Sequence, residues 1–360
     1  MKTYNAALQA QLDAYLSEQS GLPQSKAAAM IGVSPTALSQ YRNSKYPGDV
    51  EAVESKIEEF LRTRSAAAQA EAENARTLLG DKPVLLIMGA MNPALFWPDE
   101  FCLALAGRGL RVIRYDHRDT GRSAKVDFAR HPYSLDELTD DALAILDGYG
   151  VERASVVGLS MGGYIAQLVA ARHAQRVDKL VLQSTTADHR PYMAATTGDS
   201  TALQDAFLSS PSAAFIASVT EAASRIPADR EEAEQIALAV WRSIYAQQEN
   251  AGESDHAFPA DFILGCMRRA RSCGHDQAAA FNHAAAVLAS PPRLGLLDAI
   301  RAPTLVIHGR YDPCLPLDHG EYLASHIRGA RLEVLAMGHM FPPDLSGEIA
   351  EVATTFLGQD

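Results

Sequence analysis

The first residues that could do chemistry lie in the segment Ala154–Gly163, which reads Ala-Ser-Val-Val-Gly-Leu-Ser-Met-Gly-Gly. Ser160 stands at the centre of a G-x-S-x-G motif, after a short β-branched run and before a segment of helical character. A strand, a tight turn and a helix in this order hold a serine hydroxyl clear of a sheet, and Gly158 and Gly162 leave room for the sharp bend. The motif therefore predicts a nucleophilic serine rather than an ordinary strand-to-helix turn.

The elements that would position this serine alternate between strands and helices. The predicted strands are Val84–Met88, Val112–Tyr115, Ser155–Val157, Lys179–Gln183, Thr304–His308 and Arg331–Leu335. The predicted helices around them include Pro98–Gly107, Leu135–Tyr149 and Leu345–Leu357. This alternation indicates an α/β fold with a doubly wound, mostly parallel sheet. The almost wholly helical segment 187–290 is typical of a cap over an active site.

Over nearly all of residues 80–360 the chain resembles the α/β-hydrolase superfamily, in particular the group that contains aclacinomycin methylesterase. The stretches that carry the resemblance are Met88–Phe101, Ile113–Ser123, Val157–Gly162 and Met337–His339. That family normally begins with an antiparallel β-hairpin, and residues 65–82 do not have the pattern of one. We therefore expect the sheet to lack its first two strands, with its edge covered by the N-terminal helices or by a partner subunit.

A serine hydroxyl is a poor nucleophile at neutral pH and needs an adjacent base. In the fold that the chain resembles, the catalytic triad follows the chain order serine, acid, histidine, with the last two on loops after later strands. Asp312 and His339 each follow such a strand, which makes Asp312 the expected acid and His339 the expected base. Asp318 and Asp188 are weaker alternatives for the acid.

Two backbone N–H groups are expected to form an oxyanion hole. One belongs to Met161, directly after the nucleophile, and the resemblance places the other at Ala90, after the first strand. The apolar residues that could line a substrate pocket are Met91, Phe96, Trp97, Trp241, Phe258 and Phe262. The sequence predicts no metal site, no cofactor and no phosphate-binding loop.

The first 64 residues have a different character. The stretch Gln24–Tyr41 has the design of a helix-turn-helix. Ala28 is small where the two helices must approach, Gly32 falls where the turn requires a positive φ, and Ser34 is a good N-cap. The helices predicted to complete a small bundle are Asn5–Gln19 and Asp49–Arg62.

This stretch resembles the phage-repressor (Cro-like) helix-turn-helix family, and its continuation resembles the DNA-binding domain of phage transposition ATPases. The resemblance implies double-stranded DNA as a partner, with the second helix in the major groove and a homodimer on two half-sites. The residues expected to face DNA are Thr36, Ser39, Gln40 and Asn43, with Arg42 and Lys45 for phosphates. Small helical bundles also serve as dimerisation or docking modules, and this segment balances seven basic against seven acidic residues. It therefore lacks the net positive charge typical of DNA binders.

Composition describes a protein of two parts. The 360 residues carry a net charge of −12. Because residues 1–64 are neutral, all of this charge lies in the rest of the chain. We predict a DNA-binding domain at 1–64, a helical linker at 65–80 and a hydrolase domain at 81–360. The four cysteines lack C-x-x-C spacing and are typical of reduced thiols. No apolar run reaches roughly 18 residues and the first residues are too polar for a signal peptide, so we expect a cytoplasmic protein without a membrane partner.

Three hypotheses about function follow. The chain is an esterase-type hydrolase tethered to DNA or to a partner, a transcriptional regulator whose hydrolase fold senses a small ester or lactone, or a metabolic esterase whose N-terminal bundle is only a dimerisation or docking module. A complete set of serine, acid and histidine favours retained chemistry. We therefore predict a serine hydrolase for a small carboxylic ester or lactone that also acts as a ligand-responsive DNA-binding regulator. The same three residues also serve acyltransferase and cofactor-free haloperoxidase chemistry.

Overall fold

The computed structural model of the chain describes residues 4–18, 24–61, 80–199, 203, 205–249, 258–340 and 342–358. The contacts divide the chain into two compact units, Met1–Leu78 and Leu79–Asp360, called here the N-terminal unit and the C-terminal unit. The helical linker predicted at 65–80 lies outside the described residues except for its last position.

The N-terminal unit is built from four described helices. They are α1 (Ala6–Glu18), α2 (Gln24–Ile31), α3 (Pro35–Arg42) and α4 (residues 50–61). Leu12, Leu38, Tyr41 and Ile57 are fully buried where these helices meet, and Ile31 of α2 is buried in the same small core. From α2 it is the small Ala28 that is fully buried there, which lets α2 and α3 approach closely.

The turn between α2 and α3 has the backbone that the sequence predicts. Gly32 has a φ of +75°, which a glycine adopts without steric cost. The Ser34 hydroxyl accepts the N–H of Ala37 at 3.1 Å and caps α3. The ammonium group of Lys56 on α4 donates a hydrogen bond to the carbonyl of Gly32 at 2.9 Å, which connects α4 to the turn. The predicted positive φ and N-cap are both confirmed.

The C-terminal unit is organised around a parallel sheet of six strands. They are β1 (Lys82–Ile87), β2 (Leu110–Arg114), β3 (Ala154–Leu159), β4 (Val177–Gln183), β5 (Thr304–Gly309) and β6 (Arg331–Leu335). Their order is β2-β1-β3-β4-β5-β6, and every neighbouring pair is parallel. Each strand lies within two residues of its predicted ends, and the predicted doubly wound α/β fold is confirmed.

Helices cover both faces of the sheet because the central strands are apolar on both faces. One face packs on α6 (Leu135–Gly148), α7 (Met161–Arg172) and α14 (Leu317–His326). The other face packs on α5 (Asp99–Ala106) and α15 (Ser346–Leu357). In the described part of the chain no strand precedes β1, and β2 lies at the edge of the sheet.

The connection from β4 to β5 is helical, as predicted. Its described helices are α8 (Arg190–Thr197), α9 (Ala213–Ser224), α10 (Arg230–Glu249), α11 (Ala260–Ser272), α12 (Gln277–Ala280) and α13 (Asn282–Leu288). The buried Glu234 joins α10 to α11 through Arg268 at 2.7 Å and Arg271 at 3.4 Å. The hydrogen bond from Arg268 is the main reason that the pKa of Glu234 falls to about 2. None of the helices in the described ranges is both long enough and apolar enough to cross a membrane.

Candidate active site

Ser160 lies in the sharp turn that leads from β3 into α7. Its backbone has φ +53° and ψ −121°, a conformation that residues with a Cβ rarely adopt. A Cβ added at Gly158 would overlap the carbonyl of Gly162, and one added at Gly162 would overlap the carbonyl of Ile87. Both glycines of the motif are therefore required by close backbone approach, as a nucleophile elbow demands.

The end of β4 holds this strained turn in place. The N–H of Ser160 donates to the carbonyl of Gln183 at 3.0 Å, and the hydroxyl of Thr185 donates to the carbonyl of Ser160 at 2.7 Å. The Ser160 hydroxyl itself makes no capping bond to α7 and lies 3.0 Å from Nε2 of His339. The backbone is fixed while the hydroxyl stays available for reaction.

His339 also contacts the predicted acid. Its Nδ1 lies 2.8 Å from Oδ2 of Asp312, and Oδ1 of Asp312 accepts the N–H groups of Cys314 and Leu315, both at 2.9 Å. Burial by itself would raise the pKa of Asp312, but the charge of the His339 ring and its hydrogen bond lower the pKa overall. The structure therefore brings Ser160, His339 and an ionised Asp312 into one hydrogen-bonded chain.

The two alternative acids are engaged elsewhere. Asp188 is buried and paired with Arg190 at 2.6 Å. Asp318 accepts the N–H of Ser209 at 2.8 Å. The structure therefore favours Asp312 as the partner of His339.

The loop after β1 lies directly against the nucleophile. A Cβ added at Gly89 would be 3.3 Å from the Cβ of Ser160. Ala90 follows in this loop, and Met161 is the first residue of α7, where helix N–H groups lack partners within the helix. The assignment of these two N–H groups to an oxyanion hole stays a prediction.

Within the described residues, one group of three side chains has metal-ligating atoms within 4.8 Å of one another: Asp312, Cys314 and His339. Two of the three already pair with each other by a hydrogen bond. Burial raises the pKa of the Cys314 thiol well above its ordinary value, whereas a metal ligand must be a thiolate. The donor set therefore fits a hydrogen-bonded triad better than a metal centre.

Five of the six predicted pocket residues lie in the loop after β1 or in the helical segment between β4 and β5. Phe96 stacks on Trp241 with ring centroids 5.3 Å apart, and Met91 directly follows Ala90. Helix α10 carries Trp241 and reaches the His339 loop, because the carbonyl of Ile244 accepts the N–H of His339 at 3.4 Å. Phe258 and Phe262 are half-buried in the same apolar cluster.

Trp97 is placed differently from the other predicted pocket residues. Its side chain is fully buried and stacks on Phe101 of α5 with ring centroids 5.4 Å apart. This position belongs to the core between the sheet and α5.

The residues predicted to face DNA are spread along α3 and the turn after it. Thr36, Arg42, Asn43 and Lys45 are exposed, while Ser39 and Gln40 are half-buried. Two of them are already engaged. Arg42, which the sequence offers for phosphates, is ion-paired with Asp13 at 2.6 Å, and the amide of Asn43 donates to the carbonyl of Ser39 at 2.8 Å.

Two histidines outside the predicted site contact the loop after β1. His117 Nε2 lies 2.9 Å from the carbonyl of Met88, and His283 Nδ1 lies 2.9 Å from the nitrogen of Met91. His283 is 192 residues from Met91, and no local motif links the two. Only the tertiary structure could reveal this contact.

Comparison with known proteins identifies the family of the C-terminal unit. The family model described as the alpha/beta hydrolase fold matches residues 82–344. The chain is 36% identical over 270 residues to rhodomycin D methylesterase of Streptomyces peucetius, covering 73% of this chain and 86% of that protein. A hydrolase structure from Pseudomonas aeruginosa aligns with a TM-score of 0.56 at 26% identity, covering 78% of this chain and 91% of that one. An enol-lactonase structure from Burkholderia xenovorans aligns with a TM-score of 0.58 at 24% identity, covering 78% and 92%, and shows the same fold.

The chain belongs to the α/β hydrolase fold family. It is an enzyme, a hydrolase of the esterase type.

Proposed function

We propose that Ser160, His339 and Asp312 form a catalytic triad that hydrolyses a carboxylic ester or lactone. The observation that carries this proposal is the continuous chain from the Ser160 hydroxyl through His339 to the buried Asp312, with distances of 3.0 and 2.8 Å. His339 Nε2 takes the proton as Ser160 attacks the carbonyl carbon, and the N–H groups of Ala90 and Met161 stabilise the oxyanion. The alcohol leaves with that proton, and water then releases the acid from the serine.

The substrate we propose is the methyl ester or lactone of a bulky, largely apolar acid. The partly exposed Trp241, which stacks on the buried Phe96, and Met91 beside Ala90 place apolar surface next to the loops of the site. The similar rhodomycin D methylesterase supports a methyl ester by its name. We therefore expect Trp241→Ala to raise KM for aromatic methyl esters about tenfold and to leave KM for a short p-nitrophenyl ester nearly unchanged.

The triad is tested by labelling and turnover. A fluorophosphonate should label Ser160 in the wild-type protein and should not label Ser160→Ala. Wild-type protein should release methanol from aromatic methyl esters or open aromatic lactones. Failure of both labelling and turnover with the folded protein would contradict the proposal.

A second candidate function concerns the N-terminal unit. The glycine turn, the capped α3 and the exposed Thr36 and Lys45 favour contact with double-stranded DNA through α3. The balanced charge and the ion pair of Arg42 with Asp13 favour the alternative, a dimerisation or docking module on a metabolic esterase. The comparisons support this alternative better, because the relatives named above are hydrolases.

A mobility-shift assay with genomic fragments separates these two functions. If α3 reads DNA as a homodimer, Gln40→Ala should weaken binding to the preferred fragment about tenfold and relax its specificity. Lys45→Ala should weaken binding to all sequences alike. The absence of any preferred fragment, in a protein that is dimeric by light scattering, would support the docking module.

A further inference from the structure

The loop that carries the proposed oxyanion donor is held at both ends by buried histidines. At its start, His117 Nε2 contacts the carbonyl of Met88 at 2.9 Å. At its end, the N–H of Met91 donates to His283 Nδ1 at 2.9 Å. Between these two contacts lie Gly89, which packs against Ser160, and Ala90.

The hydrogen bond between Met91 and His283 stabilises an unfavourable backbone conformation. Met91 has a φ of +66°, a left-handed backbone conformation that residues with a side chain rarely adopt. Such a conformation persists only where surrounding contacts hold it. The hydrogen bond to His283 is one of these contacts, and it fixes the peptide that directly follows Ala90.

The chemistry of His283 is determined by its two partners. Because Nδ1 accepts the N–H of Met91, the ring proton must lie on Nε2, which donates to the carbonyl of Arg118 at 2.9 Å. Burial is the main reason that the pKa of His283 falls to about 4. The groups that face the ring include His117, edge-on at 5.6 Å, with Asp119 and His275 nearby. The ring is therefore neutral at neutral pH and can accept the Met91 N–H.

His283 also connects the loop to the helical segment between β4 and β5. It is the second residue of α13, the last described α-helix before β5. Its neighbour Asn282 donates to Asp119 at 3.1 Å and to the carbonyl of Val126 at 3.2 Å. These bonds anchor α13, so the acceptor that His283 presents to Met91 is itself fixed in space.

We infer that His283 is a positioning residue for ester hydrolysis, holding the 88–91 loop so that the Ala90 N–H faces the oxyanion formed on Ser160. This inference rests on the proposed function, since it assigns the role through that reaction. His283 touches neither the substrate nor the reacting atoms in this role. Its effect should fall on the transition state, with little effect on ground-state binding.

Two amide variants separate this role from simple packing. In His283→Asn the side-chain oxygen can occupy the place of Nδ1 and accept the Met91 N–H. In His283→Gln the side-chain amide can reach the place of Nε2 and keep the Arg118 contact, but the acceptor for Met91 is lost. A positioning role therefore predicts that Asn retains most of kcat and that Gln loses about 10- to 100-fold, with KM nearly unchanged in both. A packing role predicts the opposite order, because Gln fills more of the ring's volume.

A transition-state analogue gives a second measurement. A trifluoromethyl ketone forms a bond from its carbonyl carbon to the Ser160 oxygen, its carbonyl oxygen becomes an oxyanion, and the serine proton moves to His339. Its inhibition constant should rise in His283→Gln by the same factor by which kcat falls, while the affinity for the product acid stays unchanged.

His319→Asn and His319→Gln are matched controls. His319 is as buried as His283 and its ring also makes two hydrogen bonds, to Thr186 and to Ser209, which lie outside the 88–91 loop. Both control variants should keep wild-type kcat.

The outcomes distinguish the two proposals. Higher kcat in the Gln variant than in the Asn variant, or an unchanged inhibition constant in both, would overturn the role of His283. Absence of hydrolysis and of Ser160 labelling in the wild-type protein would instead overturn the proposed function. Thermal denaturation of each variant, followed by circular dichroism, establishes that the kinetic comparison is made between folded proteins.

Discussion

Ser34 and Ser160 occupy the same position in two different units, the residue directly before a helix. Ser34 has φ −75° and ψ 151°, and its hydroxyl accepts a helix N–H at 3.1 Å. Ser160 has φ +53° and ψ −121°, and its hydroxyl makes no capping bond and lies 3.0 Å from His339. One serine stabilises its helix, and the other leaves its helix uncapped.

The backbone conformation explains this difference. In an extended conformation the serine oxygen reaches the free N–H groups of the first helical turn. At the positive φ of Ser160 the hydroxyl accepts none of the N–H groups in the first turn of α7. An uncapped helix start attracts an anion. The same geometry that frees the nucleophile therefore also leaves a donor for the proposed oxyanion.

The largest expected effect is on Ser160 itself. Replacing Ser160 with Ala should lower kcat by a factor on the order of 10⁶, because the attacking oxygen is removed. Steady-state hydrolysis of a p-nitrophenyl ester measures the change. Ser155→Ala, at a buried serine on β3, is the control and should keep wild-type kcat. Substantial turnover by Ser160→Ala would show that Ser160 is not the nucleophile and does not differ from Ser34 in this respect.

Asp312→Asn should have the next largest effect. Oδ1 must stay an acceptor for Cys314 and Leu315, so the amide NH₂ would face His339 Nδ1 and force the ring proton onto Nε2. That tautomer cannot take the serine proton, and we expect a loss in kcat of roughly 10³- to 10⁴-fold. The measurement is kcat under the same assay, with Asp188→Asn as the control. Equal losses in the two variants would contradict the assignment of the acid.

Acid should destabilise the two units differently. All 11 histidines lie in the C-terminal unit, where burial lowers the pKa of His283 from 6.5 to about 4 and that of His189 from 6.5 to about 3. Between those values and 6.5 the unfolded chain binds protons that the folded unit does not. The free energy of unfolding therefore falls as pH falls below 6.5, by on the order of 3 kcal/mol or more per histidine at the low end.

Differential scanning calorimetry from pH 7.5 to 5 measures this difference between the units. The transition of the C-terminal unit should move to lower temperature, and that of the N-terminal unit, which has no histidine, should stay in place. His283→Asn should reduce the shift. A parallel shift of both transitions would contradict the prediction.

The cap at Ser34 should have a smaller effect, confined to the N-terminal unit. Ser34→Ala removes the acceptor for the Ala37 N–H and should destabilise this unit by about 1 kcal/mol. Hydrogen exchange at the Ala37 amide should accelerate, while kcat for the ester should not change. Unchanged exchange would show that the hydroxyl does not cap α3 in solution.

The smallest effect tests the strain at Ser160. Ser160→Gly should be more stable than Ser160→Ala by about 1 kcal/mol, because glycine adopts φ +53° without a Cβ. At Ser155 in the extended strand β3 the order should reverse, with Ala more stable than Gly. Chemical denaturation of the four variants measures both differences.

The sequence predicted the alternation of strands and helices, the six strands and the turn at Gly32, because these depend on local residue types and spacing. It also named Ser160, Asp312 and His339, since each follows a strand of a recognisable pattern. It did not predict that Arg42 would pair with Asp13 or that Trp97 would pack into the core on Phe101. Both depend on how elements pack, which no local pattern encodes.

The sequence by itself determined that this chain folds as an α/β protein with a serine at a tight turn, because periodicity and glycine placement act over a few residues. Only the tertiary structure decided that the hydroxyl of that serine meets His339, 179 residues away, and that His283, 192 residues from Met91, holds the adjacent loop. Contacts across such separations form only when the strands take their order in the sheet and the helical connection packs on their ends. The local sequence therefore determines which reactive residues are present, and the packing of the elements determines whether their side chains meet.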